Sequence, residues 1–313
     1  MNKISEVEIR RVKGMGFLAN NDGVHFSARI ITENGVLSSR QLVNVSEASE
    51  KYGNGTIAFT VRLTLEIPGI EFENIEAVRE YIAKEEMITG GTGPKVRPVV
   101  SCKGTVCTFG LFDTQAMAKE IHKNFFEKYN NVILPHKFKI AVGGCPNNCV
   151  KPDLNDFGVI GQLIPKYNTD KCVKCKKCLV ESTCPMGAAK FIEGTLSIDK
   201  EICNNCGRCI DKCHFDAMEQ GMHGYKIYIG GRWGKSIRHG SIINKIFTKE
   251  EIMSILLKTI LFFKDNAFKG ERFGSVIDRL GFEYVEAEIL SDEILKRKDE
   301  ILNLPIRIKR EQA

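Results

Sequence analysis

Twelve cysteines constrain this chain more than any other feature of its 313 residues. The first residues, Met1–Arg11, are polar and charged and do not read as a secretion signal, so we expect a cytoplasmic protein whose thiols stay reduced. Metal ligation is then a better explanation of the cysteines than disulfide bonding. They fall into three groups of four: Cys102, Cys107, Cys145 and Cys149; Cys172, Cys175, Cys178 and Cys184; and Cys203, Cys206, Cys209 and Cys213.

The rest of the composition is that of a globular protein with two or three modules and a sizeable core, since 43% of the residues are hydrophobic. The most apolar predicted helix, around Ile252–Phe263, is too short to span a bilayer and contains Lys258. The net charge of +6 comes without a Lys/Arg block interleaved with aromatic residues. We therefore expect an anionic ligand and no nucleic acid or membrane span.

The second and third cysteine groups each read C-x2-C-x2-C followed by a fourth cysteine. This is the bacterial ferredoxin arrangement, in which the fourth cysteine of each run ligates the other 4Fe-4S cluster. Zinc is the alternative, but zinc sites usually take cysteines as two separated pairs. We therefore predict a ferredoxin domain with two clusters, inserted at residues 165–222. The predicted ligand sets are Cys172, Cys175, Cys178 with Cys213, and Cys203, Cys206, Cys209 with Cys184.

Two departures from the ferredoxin pattern occur in this segment. Five residues separate Cys178 from Cys184 where three are usual, and His214 follows Cys213 where a proline is typical. Neither change removes a ligand, so we expect a remodelled loop and two intact clusters.

The segment KFKIAVGGCPNNC, from Lys137 to Cys149, joins two lysines, a Gly-Gly bend and the last pair of the first cysteine group. A period of two places Lys137 and Lys139 on one face of a strand and the intervening apolar residues on the other. The bend at Gly143 and Gly144 allows a close backbone approach. A K-x-K strand is more often a solvated face, and C-x3-C alone is poor evidence for a metal. Their adjacency predicts a metal centre beside a cationic pocket.

The periodicity of the chain predicts several further elements. Alternation in TIAFTVRLTLEI predicts one continuous strand that turns Phe59 and Val61 inward and leaves Arg62 on a polar face. The other predicted strands are Ser27–Thr32, Phe157–Leu163 and Lys226–Gly231, and the predicted helices are Gln41–Tyr52 (ended by Gly53), Asp113–Tyr129 and Thr248–Asp265.

Five segments carry a family resemblance: TVRLTLEIPGI (60–70), VRPVVSCKGTVC (96–107), LPHKFKIAVGGCPNNC (134–149), YKIYIGGRWGK (225–235) and GERFG (270–274). With them the sequence resembles the sulfite and nitrite reductases that join a 4Fe-4S cluster to siroheme through a shared cysteine, in particular the catalytic subunits of anaerobic sulfite reductases. The resemblance implies an α+β fold containing a single reductase half. Its parts are a ferredoxin-like half domain at 1–75 and a siroheme/4Fe-4S domain at 76–164 and 223–313, with the ferredoxin insert between them.

The resemblance also implies a role for individual residues. The first cysteine group becomes the ligand set of a third cluster, with Cys149 as the bridge to siroheme iron. Its first pair is C-x4-C, one residue shorter than the C-x5-C of many relatives. Arg232 and Lys235 correspond to contacts with siroheme carboxylates. The positions that correspond to the substrate-binding cations are Arg62, Arg97, Lys137 and Lys139.

The function that the resemblance implies is the six-electron reduction of sulfite to sulfide, with the insert passing electrons from an external flavin or iron-sulfur subunit or a ferredoxin. Reduction of nitrite to ammonia is the nearest alternative, and an electron-transfer protein with an empty siroheme site is another. Larger relatives contain two copies of the reductase half, whereas this chain has one. We therefore expect a homodimer or larger assembly in which the cations of one protomer complete a site whose cysteines belong to its partner.

Overall fold

The computed structural model describes residues 4–309, which contain helices and strands in an α+β arrangement, as predicted. The strands are β1 Phe17–Ala19, β2 Phe26–Ile30, β3 Ala58–Phe59, β4 Leu65–Ile70, β5 Val100–Ser101, β6 Ile140–Gly143, β7 Phe157–Tyr167, β8 Ala189–Ile192, β9 Thr195–Ile198, β10 Met218–Ile229 and β11 Ser241–Phe247. The α-helices are α1 Glu6–Gly14, α2 Ser39–Tyr52, α3 Ile75–Ala83, α4 Thr114–Ile121, α5 Leu179–Thr183, α6 Lys249–Asn266, α7 Phe273–Leu280, α8 Phe282–Leu290, α9 Glu293–Lys296 and α10 Lys298–Asn303. Among the residues described, no helix is both long enough and apolar enough to cross a bilayer.

The N-terminal module is an antiparallel sheet of order β1-β2-β4-β3 with helices α2 and α3 sharing its core. The predicted helix at 41–52 is α2, which begins in a capping box between Ser38 and Gln41 and ends at Gly53. Val78, Ile82 and Met87 are buried in the same core. The module therefore extends beyond the predicted boundary at residue 75, because α3 has an apolar face that packs on this sheet.

The predicted strand over 56–66 is wrong. The segment is a hairpin, in which β3 and β4 pair antiparallel and the backbone turns between Thr60 and Leu63. Leu63 adopts a left-handed conformation with φ 58°. The turn reverses the predicted faces, so that Phe59 and Val61 are 77% and 99% exposed while Thr64 is buried.

The central sheet has the order β11-β10-β7-β6-β5. Strands β5, β6 and β7 are parallel, while β10 pairs antiparallel with both β7 and β11. Helices α4 and α6 to α8 cover the sheet and share its apolar core. The helix predicted over 113–129 begins as α4, with Asp113 as its N-cap, and continues as a π-helical stretch at His122–Glu127.

The cysteine-rich segment lies between β7 and β10, two long neighbouring strands that pair antiparallel up to Tyr167 and Met218. It contains α5 and the β8–β9 hairpin. A small core of its own includes Val180, Leu196 and Ile210. The segment therefore forms the tip of a two-stranded ribbon that rises from the central sheet.

Arg62 fastens the N-terminal module to the central sheet. Its Nε and Nη2 donate to the carbonyl oxygen of Pro98 at 2.9 and 2.6 Å, and Nη2 also donates to the carbonyl oxygen of Ile140 at 2.7 Å. Its Nη1 donates to Asn155 Oδ1 at 3.0 Å. A second link joins Asn34 to the backbone N–H and the hydroxyl of Ser101 at 2.5 Å. The guanidinium therefore satisfies acceptors at or just before the starts of three different strands.

We expect Arg62→Met to lower the free energy of unfolding by about 2–4 kcal/mol, because it leaves buried carbonyl oxygens without donors. Urea denaturation followed by circular dichroism measures this change. The matched control is Arg10→Met, since Arg10 forms an exposed ion pair with Glu6 on α1 and its loss should leave the midpoint near that of the parent. Equal urea midpoints for Arg62→Met and Arg10→Met would contradict this stabilising role of Arg62.

Candidate functional site

The predicted substrate cations meet at one end of the central sheet. Arg97 lies just before β5, and its backbone N–H donates to the carbonyl oxygen of Phe138 at 2.8 Å. Lys137 and Lys139 lead into β6. Because β5, β6 and β7 are parallel and in register, the residues that precede them lie side by side. Arg62 reaches the same end through its bonds to Pro98 and Ile140, so all four cations are brought together.

The two lysines lie on one face of their strand, as predicted, since Phe138 and Ile140 between and after them are fully buried. Burial lowers the pKa of Lys139 to about 8, and the charges of Arg62, Lys137 and Arg272 add to the effect. Burial also lowers the pKa of Lys137, followed by Arg272 and Arg97. Burial is thus a larger cause of the lowered lysine pKa values than the mutual repulsion of the cations.

The two arginines differ in how their donors are used. Burial lowers the pKa of Arg62 to about 10 and that of Arg97 to about 10, and neighbouring positive charges contribute to both shifts. The donors of Arg62 are largely used in its hydrogen bonds to Pro98, Ile140 and Asn155. Arg97 donates Nη1 to the carbonyl oxygen of Gly91, while its buried Nε has no hydrogen-bond partner among the residues described. Arg97 therefore has fewer of its donors bonded within the described residues than Arg62 has.

Sequence reasoning missed three members of this cluster. Arg272, in the quoted GERFG segment, donates Nη2 to both carboxylate oxygens of Asp156 at 3.0 Å. Its buried Nε is likewise without a partner in the described part of the chain. His136 lies beside Lys137, and burial together with the charge of Arg272 lowers its pKa to about 4. The GERFG segment was part of the resemblance, but nothing local to it indicates that Arg272 reaches a residue 116 positions away.

A cavity of about 690 Å³ opens beside the cations. Its charged lining comes from Arg97, Lys137, Lys13 and Lys269, and its apolar lining includes Leu134 and two isoleucines of the C-terminal segment. An apolar wall with positively charged groups suits a flat, largely apolar ligand that carries carboxylates. The cavity and the unpartnered guanidinium donors therefore fit the predicted tetrapyrrole.

The predicted carboxylate contacts Arg232 and Lys235 lie in the loop after β10. Strand β10 is antiparallel to β7, with Ile229 opposite Phe157, so this loop lies at the cation end of the sheet. Arg232 donates Nη1 to Ser275 Oγ at 3.1 Å, and its buried Nε has no partner within residues 4–309. Lys235 is exposed.

The first cysteine group gathers at the opposite ends of the same parallel strands. Cys102 follows β5, and Cys145 follows β6 after the bend at Gly144. The Gly144 N–H donates to Cys102 Sγ at 3.2 Å. Burial raises the pKa of the Cys145 thiol, and the proximity of Cys102, Cys149 and Cys107 raises it further. The four thiols of the predicted third cluster are therefore neighbours.

The backbone around these thiols is packed too closely for side chains. A Cβ on Gly144 would lie 3.0 Å from Gly104 Cα and 3.4 Å from Cys102 Sγ, and a Cβ on Gly161 would lie 2.7 Å from the carbonyl oxygen of Gly144. Over the described residues, no three His, Cys, Asp or Glu side chains converge as the ligands of a single metal ion. Four soft thiols spread over tight turns suit the corners of an iron-sulfur cluster.

The cations and the first cysteine group are not adjacent within one chain, contrary to the sequence-based expectation. Lys139 begins the extended stretch and Gly143 ends it, so about 13 Å of strand separates them. The sequence places two lysines and two cysteines within thirteen residues, but an extended backbone sends them to opposite ends of the sheet.

The eight cysteines of the ribbon tip line two cavities. One cavity contains Cys172, Cys175, Cys178 and Cys213, and the other contains Cys184, Cys203, Cys206 and Cys209. These are the two sets that the ferredoxin rule pairs. The five residues between Cys178 and Cys184 form the short helix α5, which accounts for the longer spacing.

The second of these sets lies against the central sheet. The backbone N–H of Leu163 in β7 donates to the carbonyl oxygen of Asn205 at 2.8 Å. The guanidinium of Arg208 lies 4.1 Å from the ring centroid of Phe109, in the loop after Cys107. Two contacts therefore connect the tip to the part of the chain that carries the first cysteine group.

Two family models match the sequence of this chain. Residues 92–298 match the family model of the nitrite and sulphite reductase 4Fe-4S domain, and residues 19–85 match that of the nitrite/sulfite reductase ferredoxin-like half domain. The chain is 31% identical to the coenzyme F420-dependent sulfite reductase of Methanocaldococcus jannaschii over 88% of its own length and 44% of that protein. It is 28% identical to one of the subunits of the anaerobic sulfite reductase of Salmonella typhimurium over 46% of each chain.

A solved structure shares the fold. Dissimilatory sulfite reductase I superposes with a TM-score of 0.69 and 20% identity, covering 92% of this chain and 73% of that one. The chain spans less than half of the F420-dependent relative and of the Salmonella protein. The two family models together cover most of the chain, and they match the module that carries Arg62 as well as the sheet that carries the cysteines. The chain therefore belongs to the nitrite and sulphite reductase family.

Proposed function

We propose that this protein reduces sulfite to sulfide at a siroheme coupled to a 4Fe-4S cluster. In this reaction, hydrogen sulfite takes up six electrons and six protons to give HS⁻ and three waters. The observation that carries the proposal is the convergence of Arg62, Arg97, Lys137 and Lys139 at one end of the sheet. A dense group of cations is what a small oxyanion requires when it must be held against water.

The residues of this chain divide the work according to their chemistry. Arg97 offers a planar guanidinium to the anion's oxygens, and Arg62 adds charge while holding the two modules together. At an effective dielectric near 20, each unit charge about 4 Å away contributes on the order of 4 kcal/mol. Lys139, with a pKa of about 8, is poised to give a proton to an oxygen that leaves as water.

The cofactor ligands follow from the same assignment. Cys102, Cys107, Cys145 and Cys149 would hold the cluster, with Cys149 bound to siroheme iron. Arg232 and Lys235, together with the cavity beside Lys137, would hold the tetrapyrrole's carboxylates. When bound, siroheme would supply an iron suited to the sulfur of sulfite and to the delivery of electrons.

We further propose that the site is shared between two copies of the chain. The cations and the first cysteine group lie at opposite ends of β6, so one copy cannot present both to one anion. Apolar side chains flank the cations: Phe59 and Val61 on the hairpin, and Trp233, which is 61% exposed, on the loop after β10. Exposed apolar groups around a charged site favour an interface.

The ribbon tip is proposed as a ferredoxin-type domain that carries electrons inward. The set containing Cys206 contacts β7 next to Leu163, so its cluster would be the inner one. The set containing Cys172 lies farther out and would receive electrons from an external flavin or iron-sulfur subunit or a ferredoxin. We propose that this exchange takes place in the cytoplasm.

Nitrite reduction to ammonia is the second candidate, because the family models describe nitrite as well as sulfite reductases. A cluster of cations accepts either anion. Steady-state rates with both substrates at the same electron flux separate the two functions.

The proposed cofactors predict about 13 irons per chain, four in each of three clusters and one in siroheme. Anaerobic purification followed by iron analysis and an absorbance spectrum measures this, since siroheme adds sharp visible bands to the broad absorption of the clusters. About 8 irons without those bands would instead indicate an electron-transfer protein.

Shared sites predict complementation between inactive variants. Lys139→Met and Cys149→Ser should each abolish most sulfite reduction when assembled alone. When the two chains are unfolded, mixed and reassembled with cofactors, a quarter to a half of the parent activity should return in mixed dimers. The control mixes Lys139→Met with Arg97→Met, which damage the same half-site. Failure of the first mixture, in dimers shown to be mixed, would mean that each chain contains a complete site.

A further inference from the structure

Asp156 is a buried carboxylate within the cation cluster. Its side chain is 1% exposed and lies in the turn that precedes β7. Its Oδ2 accepts the backbone N–H of Lys139 at 2.9 Å, and both of its oxygens accept Arg272 Nη2 at 3.0 Å. Its backbone carbonyl accepts the N–H of Gly230 at 2.8 Å. One residue therefore joins the start of β6, the start of α7 and the end of β10.

A buried carboxylate is costly unless it is paired and hydrogen-bonded. Burial raises the pKa of the Asp156 carboxyl, while the charge of Arg272 and the N–H of Lys139 oppose that shift. Arg272 faces it from the N-terminus of α7, Lys137 and Lys139 from the stretch before β6, and Arg62 from the hairpin of the N-terminal module. The ion pair with Arg272 and the hydrogen bond from the Lys139 N–H favour the ionised carboxylate, against the effect of burial.

The same carboxylate acts on Lys139 in two ways. By accepting the backbone N–H of Lys139, it fixes the point at which the lysine side chain leaves the backbone. Its negative charge favours the protonated ammonium, against the burial and against the charges of Arg62, Lys137 and Arg272. The residues that the family resemblance assigned to substrate binding include neither Asp156 nor Arg272. These two residues nevertheless determine the position and the surroundings of Lys139, the proposed proton donor.

We propose that Asp156 is a positioning residue of the anion site, which holds Lys139 and Arg272 in register and keeps Lys139 protonated before the anion binds. The inference rests on the proposed function in one respect, namely that Lys139 acts as a proton donor. The ion pair is charge-assisted, and a single nitrogen of Arg272, Nη2, lies within hydrogen-bond distance of both carboxylate oxygens.

The sign of the effect distinguishes this role from simple structural support. Replacing Asp156 with asparagine removes a negative charge but keeps the size and an acceptor oxygen. The remaining cations then act unopposed, so the pKa of Lys139 should fall below about 8. A site that merely loosened would admit water and raise the pKa of Lys139 toward its ordinary value.

The test is competitive acetylation of the full chain with its cofactors. Trace acetic anhydride is added between pH 6 and 10, and the modification of Lys139 is followed by peptide mass spectrometry. For Asp156→Asn we expect the labelling midpoint of Lys139 to move to lower pH, with about threefold more labelling at pH 7.5. Arg272→Gln should move the midpoint in the opposite direction, because it removes a positive charge.

The matched control is Asp265→Asn. Asp265 is also buried and bridges two arginines, Arg297 and Arg307, away from the cation cluster. Its loss should leave the midpoint of Lys139 unchanged. An unchanged or raised midpoint in folded Asp156→Asn would overturn the proposal. If that variant does not fold, an unchanged midpoint in Arg272→Gln would overturn it.

Sulfite turnover provides a separate reading. The pH above which kcat/KM declines should be lower in Asp156→Asn than in the parent, with smaller differences near pH 6.5. Labelling does not depend on turnover. A parent that carries its cofactors but does not reduce sulfite would contradict the proposed function, whereas the labelling midpoints would still decide the role of Asp156.

Discussion

The parallel pairing of β5, β6 and β7 is the constraint on which the rest of the structure depends. When parallel strands are in register, the residues that precede them lie together at one end of the sheet, and the residues that follow them lie together at the other end. Arg97, Lys139 and Asp156 are neighbours for this reason alone. Cys102 and Cys145 are neighbours at the opposite end of the sheet for the same reason. The cationic residues therefore lie at one end of the parallel strands, and the cysteines of the first group lie at the other end.

Gathering like charges is unfavourable, and the fold opposes this cost with fixed dipoles and one carboxylate. The carbonyl oxygens of Pro98 and Ile140 accept from Arg62, and Asp156 accepts from Arg272. Burial lowers the pKa of both lysines, and the negative charge of Asp156 opposes that shift. A dianion entering such a group replaces repulsion with attraction, and for this reason the arrangement suits an oxyanion better than a neutral ligand.

Much of this arrangement was predictable from the sequence, because it depends on short-range patterns. The faces of Lys137 and Lys139 follow from a period of two, and the helix at 41–52 follows from its residue pattern and the glycine at its end. The family resemblance added the expectation that the first cysteine group holds a third cluster. The hairpin at 56–70 was not predictable, since the alternation from Ile57 to Leu65 fits a continuous strand as well as a turn that Leu63 enters with positive φ.

The contacts that were missed are distant in sequence. Arg272 and Asp156 are 116 residues apart, and only the packing of α7 on the end of the sheet brings them together. The segment from Lys137 to Cys149 did not by itself reveal the separation of the cations from the first cysteine group, because proximity in sequence does not imply proximity in space when the intervening residues are extended. Period and spacing report local geometry, whereas ion pairs across elements depend on the completed fold.

The ribbon formed by β7 and β10 has a consequence for how the protein can vary. Its register runs from Phe157 opposite Ile229 to Tyr167 opposite Met218, with an irregularity near Gln220. Backbone hydrogen bonds along this ladder set the height of the tip above the sheet whatever side chains the tip's surface carries. Substitutions or loop insertions on the outer surface of the tip can therefore accumulate without altering the spacing between the cysteine-rich tip and Cys102.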